Sequence, residues 1–393
     1  MIGYGRNECG LTDEAVSELK RALAVSTQSD NSGSTHNFYH YPARFSPDIA
    51  RAVLSLFSKP DDWILDPFMG GGTTIIEALS SGRRVVGVDL NSLALFVTQV
   101  RTTPLSPADE DAVRAWSRRC LNLVEAELMT ASPIKNLPLA MTTFLDSALQ
   151  LASSLRFPRQ RAFARCAVLR LGQWALDGRE FPFPRRRTLS ERLLEIVEQN
   201  LIGLREFVVA CKEASTRKAD VSKRRVLLYR NAVGLEKDPL LQKLTKRPNL
   251  VFTSPPYASV HVLYHRWQYR GRKETPAPYW IANIPDGFYS SHYTGGSRTP
   301  TGRERYFQMI HTAFTSIRQI ISPIGTVVQL IGFSDVETQL PIYLRTMRAA
   351  GFAEILPPSG IRLTRTVPNR KWYTRVKQSV PSSSEYLLLH RPN

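Results

Sequence analysis

The run Thr253-Ser254-Pro255-Pro256-Tyr257 combines residue types that can hold a flat ring bearing an amino group. It follows residues 250–252, an apolar run that predicts a buried strand, and open α/β sheets bind ligands beyond their strand ends. A residue before a proline takes an extended conformation, so the Ser254 hydroxyl and the Pro255 carbonyl can both face a cleft as acceptors. Tyr257 adds an aromatic face for stacking. The alternative interpretation is a double-proline turn that ends a strand, with Tyr257 in the core.

A glycine-rich loop is the second candidate for chemistry. Residues 66–72 read Asp-Pro-Phe-Met-Gly-Gly-Gly and lie between an apolar strand pattern and a helix that opens at Thr73. Glycines allow a sharp turn and a close approach of a ligand to the backbone. Asp89 ends the next strand pattern, where an acid can accept hydrogen bonds from a ribose diol. The sequence lacks the Lys-Ser/Thr of a P-loop and the third glycine of the dinucleotide fingerprint, and a simple strand-to-helix turn is the alternative.

The elements around these loops predict a parallel sheet. Ser46 and Pro47 are typical of a helix start, and that helix should run to about Phe57. Strand, glycine turn, helix, strand and acid form a βαβ unit, which requires parallel strands. The predicted fold class is α/β, a Rossmann-like, mostly parallel sheet with helices on both faces. Strands are predicted at 63–65, 84–88, 225–229, 249–252, 325–331 and 385–389.

The chain divides into three predicted regions. Residues 1–104 contain the glycine loop, and residues 226–393 contain the double-proline run. Between them, residues 105–225 predict a mainly helical, basic insertion, with helical patterns at about 107–129, 160–177 and 189–214. Residues 258–305 are rich in Arg, Tyr, Trp, Gly and Pro, which favours a loop beside the site.

The charge distribution points to a polyanionic partner. The net charge is +18, and residues 1–100 contribute −3, residues 101–225 contribute +8 and residues 226–393 contribute +13. A near-neutral part joined to a basic remainder suits a small ligand in one place and nucleic acid in another. A basic surface kept for solubility is the alternative. Candidate nucleic-acid contacts are Arg266, Arg270, Arg272 and Lys273 in the loop, and Arg185, Arg186 and Arg187 in a Pro/Arg-rich hinge.

Other classes of protein are disfavoured. The four cysteines lie far apart with no CxxC pair, which argues against a disulfide scaffold and a structural zinc site. No metal site is predicted. No apolar run reaches the roughly 18 residues of a membrane span, so we expect no membrane partner and a cytoplasmic, nucleoid-associated protein.

In this order, the motifs resemble those of the S-adenosylmethionine-dependent DNA amino-methyltransferases, which modify N4 of cytosine or N6 of adenine. DPFMGGGTT (66–74) resembles the cofactor loop, TSPPY (253–257) the catalytic motif, and HYPARFSP (40–47) the segment that precedes the cofactor loop. The resemblance covers residues 36–91 and 226–331. It implies a methyltransferase sheet and S-adenosylmethionine as cofactor. The implied cofactor contacts are Asp66, Pro67, Phe68, Gly70, Gly72, Thr73, Asp89 and Asn231, and the implied catalytic residues are Ser254, Pro255, Pro256 and Tyr257.

The first residue of the catalytic motif bears on the target base. Ser254 resembles the N4-cytosine enzymes, because Asp or Asn is usual in N6-adenine enzymes. We therefore expect a site-specific cytosine-N4 methyltransferase that flips its base out of duplex DNA, with residues 105–225 recognising the target. We further expect a monomer accompanied by a cognate restriction enzyme. The alternatives are an N6-adenine enzyme, an RNA or protein methyltransferase, and a catalytically silent nucleic-acid-binding protein.

Overall fold

The computed structural model of the protein describes residues 11–25, 33–41, 44–125, 134–179, 182–215, 220–258, 261–262, 266–270, 273–285, 293–294, 299–367 and 383–393. The strands are β1 (Trp63–Asp66), β2 (Arg84–Asp89), β3 (Arg225–Tyr229), β4 (Leu250–Thr253), β5 (His261–Val262), β6 (Trp267–Tyr269), β7 (Lys273–Thr275), β8 (Tyr293–Thr294), β9 (Thr326–Gly332), β10 (Phe352–Ile355), β11 (Leu363–Val367) and β12 (Ser383–Pro392).

The helices surround the strands along the whole chain. They are α1 (Asp13–Val25), α2 (Pro47–Phe57), α3 (Thr73–Ser80), α4 (Ser92–Arg101), α5 (Pro107–Arg119), α6 (Leu139–Ser153), α7 (Pro158–Leu176), α8 (Arg186–Glu213), α9 (Pro239–Gln242), α10 (Ala277–Ala282), α11 (Pro300–Ile320) and α12 (Val336–Ala349). Short 3₁₀ helices span Ser34–Phe38, Cys120–Glu125, Val221–Arg224 and Leu235–Lys237.

One eight-stranded sheet organises the molecule, and its order is β10-β12-β9-β4-β1-β2-β3, with β11 also paired to β12. The five strands β3, β2, β1, β4 and β9 are parallel, and β12 is antiparallel to β9. The predicted Rossmann-like, mostly parallel fold is therefore confirmed. The strand order reverses between β1 and β4, which is the switch point where such sheets bind ligands. The glycine loop follows β1 and the double proline follows β4.

Alternating side chains divide the core between the two faces of the sheet. Ile64 and Val328 point into one apolar cluster, and their neighbours Leu65 and Val327 point into the other. The helix predicted from Ser46 is confirmed, because its side chain accepts from Asp48 N and Pro47 occupies the first turn.

The helical insertion packs directly onto the sheet layer. Helices α5 to α8 share one apolar cluster with α3, α4 and β1. At Gly203 on α8, an added Cβ would lie 2.1 Å from the Ser34 carbonyl oxygen, so the helix and this backbone are in close contact. The helical patterns predicted at 160–177 and 189–214 are confirmed as α7 and α8. The pattern predicted at 107–129 is α5 followed by the 3₁₀ helix Cys120–Glu125, and its last four residues lie outside the described residues; α6 was not expected.

The prediction that residues 258–305 form a loop is wrong for its described parts. They contain the β6–β7 hairpin, α10 and the first turns of α11. Trp267 and Tyr269 alternate on β6 and are buried, which is the strand signal that the surrounding polar residues obscured. Thr299 caps α11 and Pro300 follows it, the same start signal that predicts α2. In the described part of the chain, no helix is long and apolar enough to cross a membrane.

Candidate active site

The loop after β1 is a tight turn that depends on glycine. Gly70 and Gly72 have φ angles of 48° and 79°, in the left-handed region. Gly72 N donates to Met69 O at 2.8 Å, and Met69 N donates to Val88 O on β2 at 3.0 Å. An added Cβ on Gly72 would lie 2.5 Å from Thr98 Oγ1, so this position has no room for a side chain.

Two carboxylates lie at the ends of neighbouring parallel strands beside this loop. Asp89 accepts from Gly70 N and Asn91 N, each at 2.8 Å. Burial raises the pKa of Asp89 to about 6, although these backbone donors oppose the shift. Burial also raises the pKa of Asp66 to about 6, opposed first by a hydrogen bond from Thr253. Both acids are therefore poised to change ionisation just below neutral pH.

A side-chain hydrogen bond joins the glycine loop to the double-proline turn. Thr253 Oγ1, the last residue of β4, donates to Asp66 Oδ1 at 2.6 Å. The other oxygen, Asp66 Oδ2, is buried and has no hydrogen-bond partner among the described residues. A buried acceptor of this kind requires a donor, such as an ammonium or hydroxyl group of a ligand. S-Adenosylmethionine carries both an amino-acid ammonium and a ribose diol, so the residues present fit the predicted cofactor.

The segment that precedes β1 in the chain packs against the glycine loop through Tyr41. The Tyr41 side chain lies against the glycines, because an added Cβ would be 3.3 Å from the ring atom Cε1 at Gly70 and 2.7 Å from Tyr41 Cβ at Gly71. Asn91 Nδ2 donates to the Tyr41 hydroxyl at 2.7 Å. Tyr41 therefore links the glycine loop to the turn that follows β2.

Arg101, which sequence reasoning missed, is buried and joins the glycine loop to residues 36–39 by hydrogen bonds. Its guanidinium donates to the carbonyl oxygens of Gly71, Tyr39 and His36, the last at 3.0 Å. Burial lowers its pKa to about 9, which still leaves the group charged at neutral pH. Arg101 ends a mainly apolar helix, and nothing in its neighbours along the chain indicates the three carbonyls that it binds.

Two hydrogen bonds fix the second half of the double-proline turn. Ser254 is half-buried and Pro255 is buried. The Pro256 carbonyl accepts from the Tyr306 hydroxyl at 2.9 Å, so this carbonyl faces α11. The Tyr257 hydroxyl donates to Glu385 Oε1 at 2.7 Å. Tyr306 and Glu385 were not predicted, since each lies far along the chain from the motif.

The remaining predicted cofactor residues are Asn231, beyond β3, and three residues of the glycine loop and the start of α3. Asn231, beyond β3, is exposed and accepts from Val233 N at 3.0 Å. Pro67, Phe68 and Thr73 are part of the glycine loop and the start of α3. The structure thus brings together the cofactor and catalytic sets, and their chemical roles stay predictions.

The predicted nucleic-acid contacts form two neighbouring groups. The Arg270 guanidinium lies 4.9 Å from the Phe183 ring, next to the hinge, and Arg266 lies 5.8 Å from the Tyr279 ring. The hinge residues Arg185 and Arg187 are exposed, Arg186 is half-buried, and Arg187 pairs with Glu191 at 3.0 Å. Lys273 is exposed on β7, and Arg272 lies outside the described residues. No group of acidic, His or Cys side chains in the described ranges could hold a metal ion.

Comparison with known proteins gives partial matches to proteins described as methylases or methyltransferases. Residues 12–96 match a family described as DNA methylase. Type II methyltransferase M.MvaI of Kocuria varians is 38% identical over 77 residues, 19% of this chain and 17% of that protein. A tRNA (guanine(10)-N2)-dimethyltransferase of Methanothermobacter thermautotrophicus is 36% identical over 103 residues, 25% of this chain and 31% of that protein. The chain thus matches less than a third of the length of either relative.

A solved structure gives only a weak overall similarity. The crystal structure of TrmN from Thermus thermophilus has a TM-score of 0.34 and 12% identity, and it covers 91% of this chain and 53% of that chain. A TM-score this low supports no conclusion about function.

Proposed function

Because residues 12–96 match a family described as DNA methylase, we propose that this chain is an S-adenosylmethionine-dependent methyltransferase that modifies N4 of cytosine in duplex DNA. The observation that carries the proposal is the hydrogen bond from Thr253 to Asp66. It holds the double-proline turn next to the glycine loop at the switch point of the sheet. A base on one loop and a cofactor on the other would then be neighbours.

The cofactor would lie along the glycine loop. When bound, S-adenosylmethionine supplies an electrophilic methyl group on a sulfonium sulfur. Asp66 Oδ2, buried without a partner in the described part of the chain, would accept from the ammonium group. Asp89 would accept from the ribose diol, and the backbone of Gly70 and Gly72 would allow close approach. These contacts would orient the methyl group toward the turn after β4.

The double-proline turn would hold the amino group of the flipped base. The Ser254 hydroxyl and the Pro255 carbonyl would each accept a hydrogen bond from one N–H of this amino group, which favours a pyramidal nitrogen and stabilises the positive charge that develops on it. The glycine loop would hold the cofactor so that its methyl carbon is open to attack by this nitrogen, and the electron pair of the carbon–sulfur bond would stay on sulfur. The extra proton on nitrogen leaves to water. Tyr257 stacks on the base, which offsets part of the cost of flipping.

Cytosine is favoured over adenine by the residue at the start of the turn. Ser254 stands where N6-adenine enzymes commonly have Asp or Asn. A hydroxyl can accept from the amino proton and also donate to a neighbouring acceptor, so it does not by itself require one base. The proposal of N4-cytosine therefore depends on this residue and is open to direct measurement.

Duplex DNA would contact the basic insertion and the β6–β7 hairpin together. Gly178 N, after α7, donates to Gln268 O at 2.7 Å, and Arg270 N donates to Arg179 O at 2.9 Å. The two predicted basic segments are thus adjacent, which supports one continuous surface for phosphates. We propose a cytoplasmic, monomeric enzyme accompanied by a cognate restriction enzyme.

The test is methyl transfer followed by identification of the product. The protein is incubated with labelled S-adenosylmethionine and one of two substrates, either unmodified duplex DNA of mixed sequence or tRNA. The modified nucleosides are then identified by mass. We expect N4-methylcytosine in DNA, and loss of transfer in the double variant S254A/P255A. The exposed Ser154, at the end of α6, offers the matched control S154A, which should retain full transfer.

Each other outcome changes the proposal in a defined way. N6-methyladenine would keep the mechanism and show that Ser254 does not select the base. Label in tRNA alone would favour an RNA enzyme, an alternative kept because one relative is named as a tRNA methyltransferase. An unchanged turnover number in S254A/P255A would contradict the role of the turn.

A further inference from the structure

The Tyr257 side chain is held directly by residues on β9 and β12, and indirectly by a residue on β11. On β9, an added Cβ on Gly332 would lie 2.9 Å from Tyr257 Cε2, so the ring fills the space of a missing side chain. On β12, Glu385 Oε1 accepts from the Tyr257 hydroxyl at 2.7 Å. On β11, Arg365 binds the other carboxylate oxygen, Glu385 Oε2, through Nε at 2.8 Å and Nη2 at 2.7 Å.

Strand register places these three residues side by side. Glu385 is the antiparallel partner of Gly332 on one side and of Arg365 on the other. The ion pair is buried, with exposed side-chain fractions of 9% for Arg365 and 6% for Glu385. Because the arginine binds Oε2, the carboxylate keeps a fixed orientation in which Oε1 faces the phenol.

We propose that Glu385 and Arg365 are positioning residues that hold the ring of Tyr257 as the stacking platform for the target base. This inference rests on the proposed function. A ring attached at its hydroxyl and packed on Gly332 does not turn freely. Its conformational entropy is therefore lost when the protein folds, and base binding does not incur that cost. A phenol that donates to a carboxylate also has a more electron-rich ring, which attracts the positive charge developing on the base.

The neighbouring ion pair offers a matched control. Arg362 binds Glu354 at 2.7 and 2.9 Å, also beside β11, but this pair has no recorded contact with Tyr257 among the described residues. Glu354 lies on β10, which pairs with β12, the strand that carries Glu385. The variants E385Q and E354Q therefore make the same chemical change, and only the first alters the group that holds the ring.

The experiment measures transfer to unmodified duplex DNA and to tRNA by the full chain. We expect Y257F and E385Q each to lower kcat roughly tenfold, the value of a hydrogen bond to a charged group. The double variant Y257F/E385Q should be no slower than Y257F, because Glu385 acts through the phenol. Affinity for S-adenosylhomocysteine should be unchanged in all three variants, and E354Q should match the wild type.

A second measurement does not depend on activity. The flipping rate of the Tyr257 ring, followed by NMR in protein with labelled tyrosine and assigned with Y257F, should rise in E385Q and stay unchanged in E354Q. If the wild type methylates no nucleic acid, the proposed function fails and the ring-flip result alone decides the positioning role. The positioning role would be overturned if E385Q had the same kcat and the same ring-flip rate as the wild type. It would also be overturned if the kcat losses of the two single variants multiplied in the double variant.

Discussion

Asp66 and Asp89 end neighbouring strands and lie at the same edge of the sheet. Burial raises the pKa of each to about 6, compared with about 4 in an unfolded chain. Between these values the folded state binds more protons than the unfolded state, so stability falls as pH rises from 4 to 6. The affinity for the ligand should change with pH in the opposite direction and rise as pH rises. This is because only the ionised acids can accept a hydrogen bond from every donor.

We predict that affinity for S-adenosylhomocysteine rises about tenfold between pH 5 and pH 7, with a midpoint near 6, as measured by isothermal titration calorimetry. In T253V the midpoint should move to higher pH, because the hydroxyl of Thr253 holds the pKa of Asp66 down. The variant T312V changes an exposed hydroxyl on α11 and should leave the midpoint in place. A flat profile in the wild type would contradict the prediction.

Among the elements, the turn between β1 and α3 sets the geometry of the site. Gly72 combines a positive φ with the close approach of Thr98 on α4. Gly360, in the turn before β11, has a similar φ of 71° but open space where a Cβ would lie. The two glycines therefore separate the cost of backbone strain from the cost of a steric clash.

We predict that G72A loses affinity for S-adenosylhomocysteine and is destabilised by more than 2 kcal/mol, about the sum of backbone strain and a clash. G360A should cost about 1 kcal/mol and leave cofactor affinity unchanged. Urea unfolding and calorimetric titration of both variants provide the measurement. Equal losses of stability in the two variants would show that the contact with Thr98 is of no consequence.

Across the whole molecule, the insertion and the sheet are parts of one structure. Phe207 on α8 is completely buried in the cluster that also contains Ile64 of β1 and Ile75 of α3. A helical layer that shares a core with the sheet cannot unfold alone without exposing the sheet face to water. The insertion, which lies in the connection between the parallel strands β2 and β3, thus covers part of one face of the sheet.

We predict a single cooperative unfolding transition for the full chain, with coincident curves from circular dichroism and tryptophan fluorescence. F207A should shift the whole transition and lower stability by about 3–5 kcal/mol, as is usual for removal of a buried phenylalanine ring. I202A, at an exposed position on the same helix, should change stability by less than about 0.5 kcal/mol. Two separate transitions in the wild type would contradict a shared core.

The uneven charge of the chain also acts at this scale. We predict that affinity for duplex DNA falls steeply with salt, and that R185A/R186A lowers the slope of log K against log salt by about 1–2. The double variant K20A/R21A, on α1 in the near-neutral part of the chain, should leave the slope unchanged. Fluorescence anisotropy at several salt concentrations provides the comparison. Equal slopes for all three proteins would exclude the hinge from the interface.

The sequence by itself determined the elements and the two loops of the site, because these depend on neighbouring residues. Alternation, caps and turn residues indicated β1, β2, α2 and α3 to within a residue or two. Parallel strands bring their carboxyl ends to one edge, so the placement of both loops at that edge also followed from the pattern. Where polar and aromatic residues interrupted the alternation, as in β6, the same reasoning did not recognise the strand.

Only the tertiary structure decided which distant side chains support the site. Tyr257 and Glu385 are 128 residues apart, and Arg101 and His36 are 65 apart. Such contacts are set by strand register and by the close packing of helices, neither of which leaves a local pattern in the chain. The helical insertion is a similar case, since its apolar positions predicted helices but not the sheet face that they cover. The residues that could bind ligands were therefore visible in the sequence, whereas the residues that hold them in place were not.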